Sequence, residues 1–139
     1  MTLDWNNMAS WKVLLVDDEP DNVEVMTETL EHNGMTIQSA SNGQLGLQIL
    51  QHFHPDLILL DLSMPVMDGW QALRHIKANS SWEGIPVVGI SAHAIHGDKE
   101  RALAAGFDGY LTKPINVRTL IGDLRQALSK YPGKTTLTD

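Results

Sequence analysis

Residues 56–61 read DLILLD, four consecutive aliphatic side chains between two aspartates. A second run, KVLLV at residues 12–16, is equally short and is apolar after its first residue. Strands that are apolar at every position are typical of a parallel sheet covered on both faces. These two segments therefore predict central strands with helices on either side of the sheet.

Three further segments of strand length continue the pattern along the chain. They are MTIQSA at 35–40, IPVVGIS at 85–91 and DGYLTK at 108–113. MTIQSA alternates between apolar and polar residues, which favours an edge strand. Helical spacing of apolar residues follows the first segment at 20–33 and the last at 116–130, where Val117, Leu120 and Leu124 share one face. Five βα units of this kind predict an α/β fold with a doubly wound five-stranded parallel sheet.

The composition fits one domain over residues 12–130, with polar tails at 1–11 and 131–139. The 139 residues are 42% hydrophobic, and a chain of this size buries enough surface for a stable core. They include no cysteine, which excludes disulfides, thiolate catalysis and cysteine zinc sites. Seventeen acidic and ten basic side chains give a net charge of −7, which argues against a nucleic-acid partner. With no leader-like N-terminus and only short apolar runs, we expect a cytoplasmic protein without a membrane segment.

Polar and charged side chains follow the predicted strands at their carboxyl ends. They are Asp17, Asp18, Asp61, Ser91 and Lys113. Because the carboxyl ends of parallel strands share one edge of a sheet, these side chains should converge. Three close carboxylates repel one another unless a cation compensates, and Mg²⁺ prefers carboxylate and phosphate oxygens. The pattern predicts a site that handles phosphoryl groups with Mg²⁺ or Mn²⁺, with an aspartate as candidate nucleophile.

Four short blocks resemble the signature of a known family, the response-regulator receiver domain of two-component signalling. They are VDDEP at 16–20, LLDLSMPVMDG at 59–69, ISA at 90–92 and YLTKP at 110–114. Residues 91–115 also resemble the receivers of hybrid kinases and phosphorelays more than those of DNA-binding regulators. The resemblance implies a flavodoxin-like (βα)5 sheet with strand order 2-1-3-4-5, counted from KVLLV. It also implies a phosphoacceptor signalling domain rather than an enzyme, with at most slow self-dephosphorylation.

The resemblance assigns the phosphoryl chemistry to particular residues. Asp61 would accept the phosphoryl group, and Lys113 would pair first with Asp61 and then with phosphoryl oxygens. Asp18 would bind the metal directly together with Asp61, Asp17 would bind it through water, and the backbone carbonyl of Ser63 would be a further ligand.

The same resemblance implies a conformational switch and a set of partners. Ser91 would move toward the phosphoryl group and donate its hydroxyl to it, and Tyr110 would turn into the space that Ser91 leaves. The peptide bond before Pro114 would be cis. The phosphodonor would be a histidine kinase or a histidine phosphotransfer protein. The face formed by helix four, strand five and helix five would bind a downstream protein, and the chain would be a monomer or weak dimer.

Other interpretations of the same residues remain open at this point. Asp18, Glu19 and Asp21 adjoin a predicted helix start and could simply cap it. The alternative functions are a flavin-binding domain, a phosphatase with an aspartyl nucleophile, and a receiver-like interaction module that works without phosphorylation. The acidic loop DDEPDN would repel a phosphate that lacks a metal, which disfavours flavin binding. Ser63 stands where phosphatases of the haloacid dehalogenase type carry a second acid, which disfavours the phosphatase. Zinc binding by His52 with His54, or by His93 with His96, lacks further ligands at useful spacing.

Overall fold

Strands and helices alternate along most of the chain. The computed structural model describes residues 3–92 and 98–129 and the backbone of residues 135–136. The strands are β1 (Leu3–Asp4), β2 (Lys12–Val16), β3 (Thr36–Ala40), β4 (Leu57–Asp61), β5 (Val87–Ser91), β6 (Gly109–Thr112) and β7 (Thr135–Thr136). The helices are a 3₁₀ helix (Trp5–Ser10), α1 (Pro20–His32), α2 (Gly43–Leu50), α3 (Gly69–Ala78), α4 (Asp98–Ala105) and α5 (Leu120–Ala127). Among the described residues, no helix combines the length and the hydropathy needed to cross a membrane.

The main sheet has five parallel strands in the order β3-β2-β4-β5-β6. This confirms the predicted order 2-1-3-4-5, in which the strand KVLLV, now β2, was counted as the first. The short strand β1 precedes it, lies outside this sheet and pairs with β7. It also confirms the flavodoxin-like class and the edge position of MTIQSA. The order reverses between β2 and β4, so a crevice opens at the carboxyl ends of these two strands.

Two apolar layers cover the sheet, one on each face. Met26 and Leu30 of α1 pack with Leu124 of α5 on the first face. On the second face, Leu50 of α2 and Leu73 of α3 pack with Ala102 of α4. Alternate side chains of β2 and β4 enter the two layers, and all residues from Leu57 to Leu60 are at most 1% exposed. The uninterrupted apolar runs are therefore explained by burial on both faces.

The N-terminal segment differs from the polar tail expected over residues 1–11. Leu3, Trp5 and Trp11 are buried and belong to the same layer as α1 and α5. The Trp5 and Trp11 rings are 4.7 Å apart at 67°, and the guanidinium of Arg125 lies 5.7 Å from the Trp5 ring. Trp11 also donates its indole N–H to the carbonyl of Asp4 at 3.1 Å. The segment covers the end of the core because its two tryptophans supply a large apolar surface, although most of its other residues are polar.

The last helix begins later than the apolar spacing indicates. The predicted helix over 116–130 is an α-helix only over Leu120–Ala127, and Val117 is 50% exposed rather than on the buried face. The side chain of Asn116 accepts the backbone N–H of Arg118 at 2.9 Å, and its carbonyl accepts that of Thr119 at 3.1 Å. This turn competes with helix formation, which is typical of asparagine beside a helix start.

Truncation of Trp5 should measure how much the N-terminal segment contributes to stability. We expect Trp5→Ala to lower the free energy of unfolding by about 3–5 kcal/mol, because it removes a large buried aromatic side chain. Asn7→Ala changes an exposed residue of the same segment and should cost less than about 0.5 kcal/mol. Urea unfolding followed by far-UV circular dichroism provides both values. Equal stabilities of the two variants would show that the segment does not stabilise the core.

Candidate functional site

Three aspartates meet where β2 and β4 end. Val16 of β2 pairs with Leu60 of β4, so the next residues, Asp17 and Asp61, emerge side by side. Each of Asp17, Asp18 and Asp61 offers a carboxylate oxygen, and these oxygens all lie within 4.8 Å of one another. Asp17 and Asp61 are 1% and 2% exposed, whereas Asp18 is exposed to solvent. The cluster therefore has two buried walls and one open side.

The loop after β4 closes tightly over the Asp61 backbone. A Cβ atom on Gly69 would lie 2.3 Å from the Asp61 carbonyl oxygen, so only glycine allows α3 to begin this close to the strand. Gly69 is thus required for space and not for a left-handed backbone conformation. The left-handed residue of this loop is Val66, with φ of 69°. The Ser63 backbone N–H donates to Asp61 Oδ1 at 3.1 Å and fixes one side of its carboxylate.

Lys113 brings a positive charge to the three aspartates from the end of β6. Its Nζ lies 3.2 Å from Asp61 Oδ2 and 3.3 Å from Asp17 Oδ2. Its backbone N–H donates to the carbonyl of Ser91 at 2.8 Å, and the peptide bond between Lys113 and Pro114 is cis. The lysine side chain is only 12% exposed and the two aspartate side chains at most 3%, so these two ion pairs are poorly screened by water.

Burial and neighbouring charges shift the pKa values of this pair. Burial raises the pKa of Asp61 from 3.8 to about 7, and the charge of Asp17 adds to the rise. The Ser63 N–H and the charge of Lys113 act in the opposite direction. Burial alone would lower the pKa of Lys113, but a hydrogen bond to Glu19 and the charges of Asp17 and Asp61 outweigh it and raise that pKa above its usual value.

Two polar side chains at this site were not predicted. Glu19 Oε1 lies 2.9 Å from Lys113 Nζ, and Asn22 donates its side-chain N–H to Asp17 Oδ2. Glu19 occupies a capping position, but its side chain makes no capping hydrogen bond to α1. Its position directly after the aspartate pair was the available signal. Asn22 lies in the first turn of α1, which brings its side chain back toward Asp17 at the end of β2. This position in the sequence was the available signal.

The remaining predicted residues lie on neighbouring strands. Ser91 is buried at the end of β5, and Tyr110 is half-buried on β6 beside the second apolar layer. Tyr110 lines a surface cleft of about 620 Å³ between α4, β6 and α5. His93 and His96, considered for zinc, lie outside the described residues. Trp82, in the loop after α3, belongs to the second apolar layer and is 7% exposed.

The donor set of the three aspartates fits a hard divalent cation. Mg²⁺ takes oxygen ligands, keeps several waters and rarely occupies a closed protein cage. Asp17, Asp18 and Asp61 supply clustered oxygens, and the exposure of Asp18 leaves room for water ligands. A cation would also offset the burial and the Asp17 charge that together raise the pKa of Asp61.

Comparison with known proteins gives one family and several close relatives. The family model described as the response regulator receiver domain matches residues 13–125. The sensor protein GacS of Pseudomonas syringae pv. syringae is 37% identical over 128 residues, which cover 88% of this chain and 13% of GacS. The chain therefore spans only a small part of that sensor protein.

Two solved structures have the same fold over most of their length. The chemotaxis response regulator CheY4 of Vibrio cholerae has a TM-score of 0.79 and 30% identity, over 85% of this chain and 98% of CheY4. The receiver domain of the sensor histidine kinase PA1611 of Pseudomonas aeruginosa PAO1 has a TM-score of 0.76 and 30% identity, over 87% and 99% of the two chains. That structure has a magnesium ion coordinated in its active-site cleft.

The raised pKa of Asp61 predicts how stability depends on pH in metal-free protein. The folded state keeps the proton up to about pH 7, whereas the unfolded state loses it near 3.8, so stability should fall as pH rises between these values. Asp61→Asn removes this titration. We expect the variant to gain stability relative to the natural chain by a few kcal/mol as pH rises from about 4 to 8. Urea unfolding in chelator at several pH values tests this, and a difference that does not change with pH would contradict it.

Proposed function

This chain belongs to the response regulator receiver domain family, and on that basis we propose that Asp61 is its phosphoacceptor. Receiver domains are signalling domains that receive phosphoryl groups from histidine kinases or phosphotransfer proteins. The observation that supports Asp61 is its buried carboxylate, which lies 3.2 Å from the Lys113 ammonium and within 4.8 Å of oxygens of Asp17 and Asp18. A phosphorylation-independent interaction module would not need this balance of charges.

The proposed reaction is a single in-line transfer. One Asp61 carboxylate oxygen attacks phosphorus, the P–N bond of a phosphohistidine breaks, and the electron pair leaves with the imidazole nitrogen. Lys113 stabilises the negative charge on the transferring oxygens, and burial of Asp61 keeps water from competing for that ammonium. The Ser63 N–H holds the other carboxylate oxygen, so that the attacking oxygen keeps one orientation.

Mg²⁺ or Mn²⁺ is the proposed cofactor. Asp18 and Asp61 would hold the ion directly, Asp17 through a water molecule, and the backbone carbonyl of Ser63 would complete the protein ligands. When bound, the ion supplies positive charge to the phosphoryl oxygens. Asn22 donates to Asp17 and keeps that carboxylate oriented toward the cluster.

The response to phosphorylation would start at Ser91. Its hydroxyl would donate to a phosphoryl oxygen, and Tyr110 would turn toward the space that Ser91 leaves. Tyr110 lines the cleft between α4, β6 and α5, so its rotation would change the surface offered there to a downstream protein. The proposed output is therefore protein contact, with self-dephosphorylation as the slow return step.

Phosphorylation of Asp61 can be tested with a small phosphodonor. We expect the natural chain, incubated with Mg²⁺ and acetyl phosphate, to gain the mass of one phosphoryl group, and hydroxylamine to remove it. Asp61→Asn should gain none because it lacks the nucleophile. Asp68→Asn is the matched control: it changes an aspartate of the following loop whose side-chain oxygen caps Gln71, a bond that asparagine preserves. Intact mass spectrometry provides the result, and equal labelling of Asp61→Asn would refute the proposal.

Metal affinity tests the proposed ligands separately. We expect Asp18→Asn to weaken Mg²⁺ binding by at least about tenfold, and Asp21→Asn, an exposed acid on α1, to change it much less. The affinity of the natural chain should increase between about pH 6 and pH 8, because the ion competes with the proton that Asp61 holds up to about pH 7. Isothermal titration calorimetry measures both effects. A similar loss in the two variants would mean that the ion binds to the general acidic surface.

A further inference from the structure

The side chain of Glu19 makes the shortest of the carboxylate contacts to Lys113. Its Oε1 lies 2.9 Å from Nζ, compared with 3.2 Å for Asp61 and 3.3 Å for Asp17. The two residues are 94 positions apart in the chain. Glu19 is also the solvent-exposed member of the group, since its side chain is 62% exposed whereas those of Asp17 and Asp61 are at most 3% exposed.

The backbone around Glu19 is fixed although its side chain is exposed. Its N–H donates to Asp17 Oδ1 at 2.9 Å, and its carbonyl accepts the N–H of Val23 in α1 at 3.0 Å. Glu19 occupies the N-cap position of α1, where a polar side chain ordinarily accepts a backbone N–H of the first turn. Its side chain makes no such hydrogen bond. The carboxylate contacts Lys113 instead.

An ammonium group has three hydrogens to donate, and three carboxylates surround this one. A phosphoryl group on Asp61 would add oxygens that need the same donor. Glu19 would then hold Lys113 toward the open side of the site, and its negative charge would oppose the phosphoryl charge. Because Asp17 and Asp61 are buried and Glu19 is exposed, Glu19 is the partner that Lys113 exchanges at least cost.

We infer that Glu19 is a positioning residue that competes with the phosphoryl group for Lys113 and thereby slows the phosphorylation of Asp61. The inference rests on the proposed function of Asp61 as the phosphoacceptor. Glu19 would thus help to set the rate of phosphorylation without contacting the reacting atoms.

Two small donors allow the rate to be measured without a protein partner. With acetyl phosphate, the Asp61 oxygen bonds to phosphorus, the P–O bond to the acetyl group breaks, and acetate leaves with the electron pair. With phosphoramidate, the P–N bond breaks and ammonia leaves. Both reactions are run with Mg²⁺ on the whole chain, and intact mass gives the initial rate of phosphorylation.

The principal variant is Glu19→Gln, which removes the charge and keeps the shape of the side chain. We expect it to be phosphorylated about two- to fivefold faster than the natural chain with both donors, which is the scale of one exposed ion pair. Glu24→Gln removes the same charge from the exposed surface of α1 and should leave the rate unchanged. High salt should bring Glu19→Gln and the natural chain closer together, because the contact is open to ions.

A second variant separates contact with Lys113 from the general field of a negative charge. Glu19→Asp keeps the charge but is one methylene too short for the 2.9 Å contact. We expect it to resemble Glu19→Gln. A rate equal to that of the natural chain would assign the effect to charge at the open side and overturn the positioning role.

Two other outcomes would also overturn the inference. They are a Glu19→Gln rate equal to that of Glu24→Gln, and a Glu19→Gln rate below that of the natural chain. Failure of the proposed function gives a different result, because the natural chain would then take up no phosphoryl group, or Asp61→Asn would take it up equally. The labelling of the natural chain and of Asp61→Asn is therefore measured first.

Discussion

The ammonium of Lys113 holds together a group of carboxylates that would otherwise repel one another. Its Nζ lies within 3.3 Å of oxygens of Asp17, Glu19 and Asp61. Even beside this ammonium, burial and then the charge of Asp17 raise the pKa of Asp61 to about 7. A buried acidic site of this kind suits a divalent cation, whose charge the proposed phosphoryl transfer would use. The proposed chemistry thus depends on how burial and neighbouring charges are balanced at the strand ends.

The parallel sheet makes this balance possible. It brings the ends of β2, β4 and β6 to one edge, although Asp17, Asp61 and Lys113 are separated by 44 to 96 positions in the chain. Uninterrupted apolar strands support the site on both faces, so Asp61 cannot withdraw to solvent to recover its hydration. Gly69 lets α3 close over the strand end, and the Ser63 N–H fixes the carboxylate orientation. Burial of Asp61 at the end of a central strand is therefore the main condition for its raised pKa.

The sequence was sufficient for the parallel sheet and for the convergence of charges, because both depend on strand alternation and on the shared edge of such a sheet, whereas the strand order followed from the family resemblance. It was insufficient where the outcome depends on distant side chains. Trp5 is buried because Arg125 and the residues of α5 lie against it, and no local pattern reports that contact. Glu19 occupies the N-cap position of α1, but its carboxylate forms an ion pair with the distant Lys113. Val117 follows the apolar spacing of a helix, but the Asn116 turn delays the helix start.

The packing of Trp5 on Trp11 gives the protein an optical property. Two indole rings 4.7 Å apart at 67° have non-parallel transition dipoles at close range, so their excited states couple and produce a paired circular dichroism signal. That signal depends on the mutual orientation of the rings, and both rings belong to the N-terminal segment. The natural chain therefore contains an intrinsic reporter of the local structure of this segment, which can be followed without a dye or a label.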